Sequence, residues 1–157
     1  MIKNVNLKQL AISLAISLGV GLLAGILTAN SFDVYSGLIK PTLSPPAVLF
    51  PIVWTVLYAL MGISAYIIYK SDSDYKYLAL TIYVLQLVFN FFWSIIYFNL
   101  QNPLFAFVWL VMLWVLIIAM IITFAKIDKT AALLQIPYLL WVTFAGYLNL
   151  ALYILNY

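Results

Sequence analysis

Three apolar stretches of the sequence carry aromatic and amide side chains at intervals of three or four residues. Residues at that spacing share one face of an α-helix. Such faces can stack on a flat apolar ligand while the amides bind its polar groups. The spacing suits interhelical hydrogen bonding with aromatic filler equally well, so both interpretations stay open at this point. The positions are Pro51, Trp54, Tyr58, Met61 and Ala65 in one stretch, Tyr83, Gln86, Asn90, Trp93 and Tyr97 in the next, and Tyr138, Trp141, Ala145 and Asn149 in the last.

The side-chain inventory excludes most other chemistry. The chain has no His and no Cys, its 7 basic residues are all Lys and its 4 acidic residues are all Asp. Zinc, haem and thiol sites therefore lose their usual ligands, and no Ser-His-Asp, Cys-His or catalytic carboxylate pair can be assembled. The apolar stretches hold no titratable group for proton coupling and no charged ring for ion selection. We expect no cofactor, no metal and, at a net charge of +3, no nucleic-acid partner.

The composition requires a membrane. Of the 157 residues, 68% are apolar and 7% are charged, whereas soluble domains carry about 25% charge. A spanning helix needs about 20 apolar residues, and the sequence has five uncharged runs of that kind, at 10–29, 47–69, 77–98, 104–125 and 131–153. The runs do not alternate as barrel strands do. The first run is longer than a signal-peptide core. The predicted fold is all-α, one integral membrane domain of five transmembrane helices over residues 1–157.

The lysines predict an orientation. With five spans, the N-terminus and the loops 70–76 and 126–130 share one side, and the loop 30–46 lies on the other. Lys40 is the lysine of that second side. The positive-inside rule then predicts a cytoplasmic N-terminus and an outside C-terminus. The lysines of the first side are Lys3, Lys8, Lys70, Lys76, Lys126 and Lys129.

Two local features have two interpretations each. The loop 30–46 holds Pro41, Pro45 and Pro46, so it cannot be one continuous helix; it is either a lid over the mouth of the bundle or a mere connector. Small residues recur every four positions in the first span and predict close helix packing, either inside the bundle or across a dimer interface. They are Ser13, Ser17, Gly21 and Gly25, with Ala11, Ala15 and Gly19 on an adjacent stripe.

In the second span, Pro51 is expected to remove a backbone hydrogen bond and kink the helix.

Three motifs in order resemble the signatures of the translocator protein family, whose bacterial members are called tryptophan-rich sensory proteins, or TspO. The first is KPTLSPP at 40–46, followed by Phe50, Trp54, Leu57, Tyr58, Met61 and Gly62. The second is NFFWS at 90–94. The third is PYLLW at 137–141, followed by Phe144, Ala145, Leu148, Asn149 and Asn156. The chain departs from the family at Leu43, where Trp is usual, and it lacks the basic residue of the family's cholesterol motif after Tyr153, so specific cholesterol recognition is not predicted.

The resemblance implies a function. It implies a multi-pass protein of a bacterial cell membrane, often dimeric, that acts as a receptor, sensor or carrier. Its cavity, capped by the first loop, would bind porphyrins such as protoporphyrin and hydrophobic drug-like molecules, and the lack of His and Cys favours a metal-free porphyrin. The expected partners are that ligand, the bilayer and a second copy of the chain. The expected ligand-binding residues are Tyr35, Pro46, Trp54, Tyr58, Asn90, Trp93, Tyr138, Trp141 and Ala145.

Two alternatives remain. The family is also linked to light- and oxygen-dependent breakdown of protoporphyrin. Since no general acid or base is available, Trp54 and Trp141 would then be the reacting residues. The other alternative is a passive structural or partner-binding membrane protein, assembled through the small residues of the first span.

Overall fold

A computed structural model describes residues 5–31 and 36–157, and within them it contains helices and turns but no β-strand. Tyr35, an expected ligand-binding residue, lies outside the described residues. Five helical stretches are long and apolar enough to cross a membrane, which confirms the predicted fold class. The helices are α1 (Leu7–Thr28), α2 (Leu49–Tyr69), α3 (Lys76–Ser94), α4 (Pro103–Ala125), α5 (Lys129–Leu133) and α6 (Ile136–Asn156). A short 3₁₀-helix, Ala29–Ser31, extends α1, and a π-helical turn, Ile95–Asn99, extends α3.

Side-chain caps explain where three of the helices begin. The Asn6 side chain accepts a hydrogen bond from the Gln9 backbone N–H, and Asp128 accepts one from Ala131. Asn102 caps α4 by accepting from the Phe105 N–H, and Pro103 follows it at the first helical position. Each cap satisfies one of the N–H groups that a helix start leaves without an internal partner.

Two helices differ from the sequence prediction, and proline accounts for both differences. The fifth span is two helices, α5 and α6, with a turn at residues 134–135, because Pro137 has no N–H to continue the helical ladder. In the second span, α2 starts at Leu49, after the Pro45-Pro46 pair, so Pro51 falls in its first turn. An N–H has no helical acceptor at that position, so Pro51 removes no internal bond and requires no kink there.

The small-residue stripe of α1 packs against α2 inside the bundle. The Ser13 hydroxyl donates to the Gly62 carbonyl at 2.7 Å, and the Ser17 hydroxyl donates to the Tyr58 carbonyl at 2.7 Å. Gly21 lies against the Tyr58 ring, so closely that a side chain there would overlap it. For Ser13, Ser17 and Gly21 the structure therefore supports packing within the bundle.

The other helices enclose the core around α4. This helix packs against α3 on one side and against α5 and α6 on the other. Its inward residues are fully or almost fully buried, and the Ser64 hydroxyl of α2 donates to the Ala131 carbonyl of α5 at 2.7 Å. The buried α4 residues include Ala106, Leu110, Leu113, Ile117, Met120 and Phe124.

The close approach of α1 and α2 gives a first prediction. A Cβ on Gly62 would lie 2.7 Å from Ser17 Oγ and 3.0 Å from Leu14 Cα, whereas a Cβ on Gly19 would meet no atom within 4 Å. We expect Gly62→Ala to destabilise the protein by about 1–3 kcal/mol, the usual cost of overpacking. Gly19→Ala, the matched control, should leave stability unchanged or slightly higher. Thermal unfolding of the purified protein followed by circular dichroism measures both, and equal midpoints would refute the packing argument.

Candidate ligand-binding cavity

The bundle encloses a cavity of about 1090 Å³ between α1, α2, α3 and α6. Its wall is mainly apolar and aromatic, and its volume is slightly above the usual range of about 300–1,000 Å³ for small-molecule sites. Five of the expected ligand-binding residues line it, namely Trp54, Tyr58, Asn90, Trp93 and Ala145. The helical spacing of these residues therefore places them around one cavity.

Three other expected residues lie beside the cavity and do not form its wall. Tyr138 is buried behind Trp54, with their ring centroids 6.3 Å apart. Trp141 lies edge-on to Phe50, a wall residue, at 5.9 Å between ring centroids. Pro46 is exposed and precedes two wall residues, Ala47 and Val48. Tyr138 and Trp141 thus support the wall from behind.

Trp54 is the centre of the aromatic cluster. Its ring centroid lies 5.7 Å from that of Tyr58 and 6.3 Å from that of Trp93. Trp93 in turn stacks on Tyr97 at 5.8 Å. These separations are within the range of favourable aromatic pairs. The cluster joins α2 to α3 and presents a continuous aromatic surface to the cavity.

Of the three amides in the helical aromatic–amide pattern, Gln86 and Asn149 form interhelical hydrogen bonds. Gln86 Oε1 accepts from the buried Tyr138 hydroxyl at 2.8 Å. Asn149 Oδ1 accepts from Trp93 Nε1 at 3.3 Å, and Asn149 Nδ2 donates to the Pro103 carbonyl at 2.8 Å. Interhelical hydrogen bonding therefore accounts for the inward position of Gln86 and Asn149 without a ligand.

Asn90 is different. It is 1% exposed and lines the cavity, yet neither its Nδ2 nor its Oδ1 has a hydrogen-bond partner of standard geometry. It lies near the Tyr138 hydroxyl, which donates to Gln86 instead. A buried amide without partners costs roughly 1–3 kcal/mol. Asn90 therefore has unused hydrogen-bonding capacity at the cavity wall, although its two polar atoms are closed off from the open space in this structure.

Much of the wall comes from α1, which the sequence did not single out as part of a site. Leu18, Gly19, Leu22, Gly25 and Ile26 line the cavity. Gly19 and Gly25 leave open space where other residues would place a side chain. The sequence did contain a signal for this role. Contact with one neighbouring helix needs one stripe of small residues, whereas α1 has two adjacent stripes.

The loop before α2 is fastened to the end of α6. The Ile39 N–H donates to Asn156 Oδ1 at 2.8 Å, and Asn156 Nδ2 donates back to the Ile39 carbonyl at 3.0 Å. This pair of bonds joins the loop to α6, while none of the described residues 36–46 lines the cavity, so the lid stays a prediction. Leu43 is 65% exposed and does not line the cavity.

Comparison with known proteins places the chain in a family. The model of the TspO/MBR family matches residues 12–155, which run from α1 almost to the end of α6. The chain belongs to the TspO/MBR family. It is 38% identical to the tryptophan-rich protein TspO of Archaeoglobus fulgidus over 157 residues, 97% of this chain and 99% of that one. It is 38% identical to the protein of the same name from Chlorobaculum tepidum over 124 residues, 78% of each chain. It is 32% identical to the translocator protein of Ovis aries over 123 residues, 76% of this chain and 73% of that one.

The five tryptophans of this TspO/MBR chain divide into two groups. Trp109 Nε1 donates to the Phe89 carbonyl at 2.8 Å, and Trp114 Nε1 donates to Thr143 Oγ1 at 2.9 Å, both away from the cavity. Trp54, Trp93 and Trp141 lie at or behind the cavity wall, and the buried Trp141 Nε1 has no hydrogen-bond partner. Of the two groups, only the one at the cavity contains an indole N–H without a hydrogen-bond partner, that of Trp141.

The contrast between the two asparagines gives a second prediction. Replacing Asn149 breaks two hydrogen bonds between helices, so Asn149→Leu should lower the free energy of unfolding by about 1–3 kcal/mol. Asn90→Leu removes an amide that has no partner and should leave stability unchanged or higher. Denaturant unfolding of the two variants side by side is the measurement. A loss of stability in Asn90→Leu as large as in Asn149→Leu would contradict the assignment of Asn90 to a ligand.

Proposed function

We propose that this protein is a membrane receptor or carrier that binds porphyrin-type tetrapyrroles and other flat apolar molecules in the cavity. The observation that carries the proposal is an unpartnered buried amide, Asn90, in the wall of a large aromatic cavity. The aromatic rings match the face of a macrocycle, and the amide matches a polar group on it. The names of the relatives, tryptophan-rich protein and translocator protein, are consistent with a ligand-binding role.

The chemistry of the wall favours a metal-free ligand. The sequence has no His or Cys, which are the common protein ligands of haem iron. The remaining candidates near the cavity are tyrosines, of which Tyr138 already donates to Gln86. Binding would therefore depend on stacking and shape, with Asn90 orienting a polar substituent of the ligand.

The distribution of charge favours passive binding over driven transport. The described Lys and Asp residues lie at helix ends or in loops, so the membrane-spanning interior offers no group whose ionisation could be coupled to movement of a ligand. Dimerisation, which we also expect, would need a surface other than the Ser13–Ser17–Gly21 stripe, since α2 already covers it.

The proposed orientation follows from the two ends of the bundle. At one end, Lys126 Nζ lies 5.8 Å from the centroid of the Tyr75 ring, which brings the loops after α2 and α4 together. Lys8, Lys70, Lys76 and Lys129 lie at the same end, called the lysine-rich end below. The opposite end carries the fastened loop with Lys40 and is called the lid end. We propose that the lysine-rich end is cytoplasmic.

A third prediction tests the site. Trp54→Ala removes the centre of the aromatic cluster, and we expect it to weaken protoporphyrin binding about tenfold, equivalent to roughly 1.4 kcal/mol of stacking. Titration of protoporphyrin fluorescence against purified protein measures the affinity. Trp114→Ala is the matched control, because Trp114 lies on α4 away from the cavity and should leave the affinity unchanged. Equal affinity in both variants would contradict the proposed site.

A fourth prediction tests the orientation. The sequence has no cysteine, so a single introduced cysteine can be followed without background. In intact cells, Leu43→Cys at the lid end should react with a membrane-impermeant maleimide, whereas Asp72→Cys at the lysine-rich end should react only after the cells are opened. The reverse pattern would refute the proposed orientation.

A further inference from the structure

Helices α1 and α2 are in contact at the lysine-rich end. The Asn6 N–H donates to the Tyr66 hydroxyl at 2.8 Å, and the serine hydroxyls of α1 reach the carbonyls of Gly62 and Tyr58, each at 2.7 Å. The α2 residues in these contacts are spaced by four positions, so they define the face that α2 turns toward α1.

The same face of α2 is uncovered at the lid end. Continuing back from Tyr58 in steps of three and four residues leads to Thr55, Pro51 and Val48. These three residues are exposed, Val48 to 68%, and all three line the cavity. The helix that covers this face near Gly62 does not cover it here.

The facing part of α1 is uncovered as well. Leu22 and Ile26 are 67% and 62% exposed, and both line the cavity. A Cβ on Gly25, between them on the helix surface, would meet no atom within 4 Å. These residues of α1 and α2 are exposed and also belong to the cavity wall. Because the two helices face each other, the residues mark an opening in the side of the bundle.

We propose that this gap is a lateral opening through which flat apolar molecules dissolved in the bilayer enter and leave the cavity. The inference rests on the proposed function for the identity of the ligand. The rim consists of Leu22, Gly25, Ile26, Val48, Pro51 and Thr55. Its one hydroxyl, on Thr55, donates to the Pro51 carbonyl at 2.7 Å, so the rim presents apolar surface. Acyl chains and an apolar ligand can pass such a rim without breaking hydrogen bonds.

The route beneath the loop is less favourable than this opening. Passage beneath the loop there would break the two hydrogen bonds between Ile39 and Asn156. An apolar ligand is also far more concentrated in the bilayer than in water, since burial of apolar surface in hydrocarbon is favourable by roughly 25 cal/mol per Å². Both considerations direct the ligand to the opening between α1 and α2.

The test measures access to the cavity with a reactive probe and does not need porphyrin binding. Ala145→Cys places a thiol in the cavity wall of a chain with no other cysteine. The protein is reconstituted in liposomes that carry N-(1-pyrenyl)maleimide, a flat apolar reagent, and the labelling rate is measured. In this background, Ile26→Trp with Val48→Trp narrows the rim. The matched control is Leu23→Trp with Leu49→Trp, on the same two helices at exposed positions outside the cavity wall.

We expect the rim pair to slow labelling about tenfold or more and the control pair to change it less than about twofold, since only the rim pair obstructs the path. Freeing the loop with Asn156→Ala should leave the rate unchanged. Equal rates in the rim and control pairs would overturn the proposal, and so would faster labelling in Asn156→Ala. Should the rim pair fail to fold, as judged by circular dichroism, Ile26→Trp or Val48→Trp alone provides the same comparison. Absence of protoporphyrin binding would refute the proposed function, but it would not affect the labelling result or the lateral opening that the labelling tests.

Discussion

The whole structure depends on one constraint, that polar groups within a membrane must find their partners inside the protein. The helices satisfy their own backbones, and the hydroxyls of Ser13, Ser17 and Ser64 donate to carbonyls of neighbouring helices. Gln86 and Asn149 are paired in the same way. Two buried amides among the described residues have no partner, Gln135 at the turn between α5 and α6 and Asn90, and only Asn90 lines the cavity. Asn90 departs from the rule at the cavity wall, so the unmet requirement is most simply satisfied by a ligand.

The contact between α1 and α2 also determines where the cavity can lie. Serine and glycine allow the two backbones to approach closely near Gly62, whereas Gly19 and Gly25 of α1 leave open space beside the helix. The cavity and its side opening occupy that open space. The tight packing at one end and the empty space at the other therefore have a common origin in the small side chains of α1.

The sequence was sufficient to predict the five spans and the inward faces, because charge and periodicity report directly on burial. It could not separate Asn90 from Asn149, since both are inward amides and only the neighbouring helices decide which one has partners. For the same reason it grouped Trp141 and Tyr138 with the wall, although Phe50 and Trp54 stand in front of them. The turn between α5 and α6 was signalled by Pro137 but overlooked, because the run of apolar residues continues through it.

The π-helical turn at the end of α3 connects backbone geometry to the site. Within Ile95–Asn99 the Leu100 N–H reaches back five residues to the Ile95 carbonyl, at 3.1 Å, and the extra residue in the turn rotates the side chains that follow Trp93. Tyr97 and Phe98, both in this turn, line the cavity as neighbours in sequence. Together with Trp93, on which Tyr97 stacks, they extend the aromatic surface of the cavity toward the lid end.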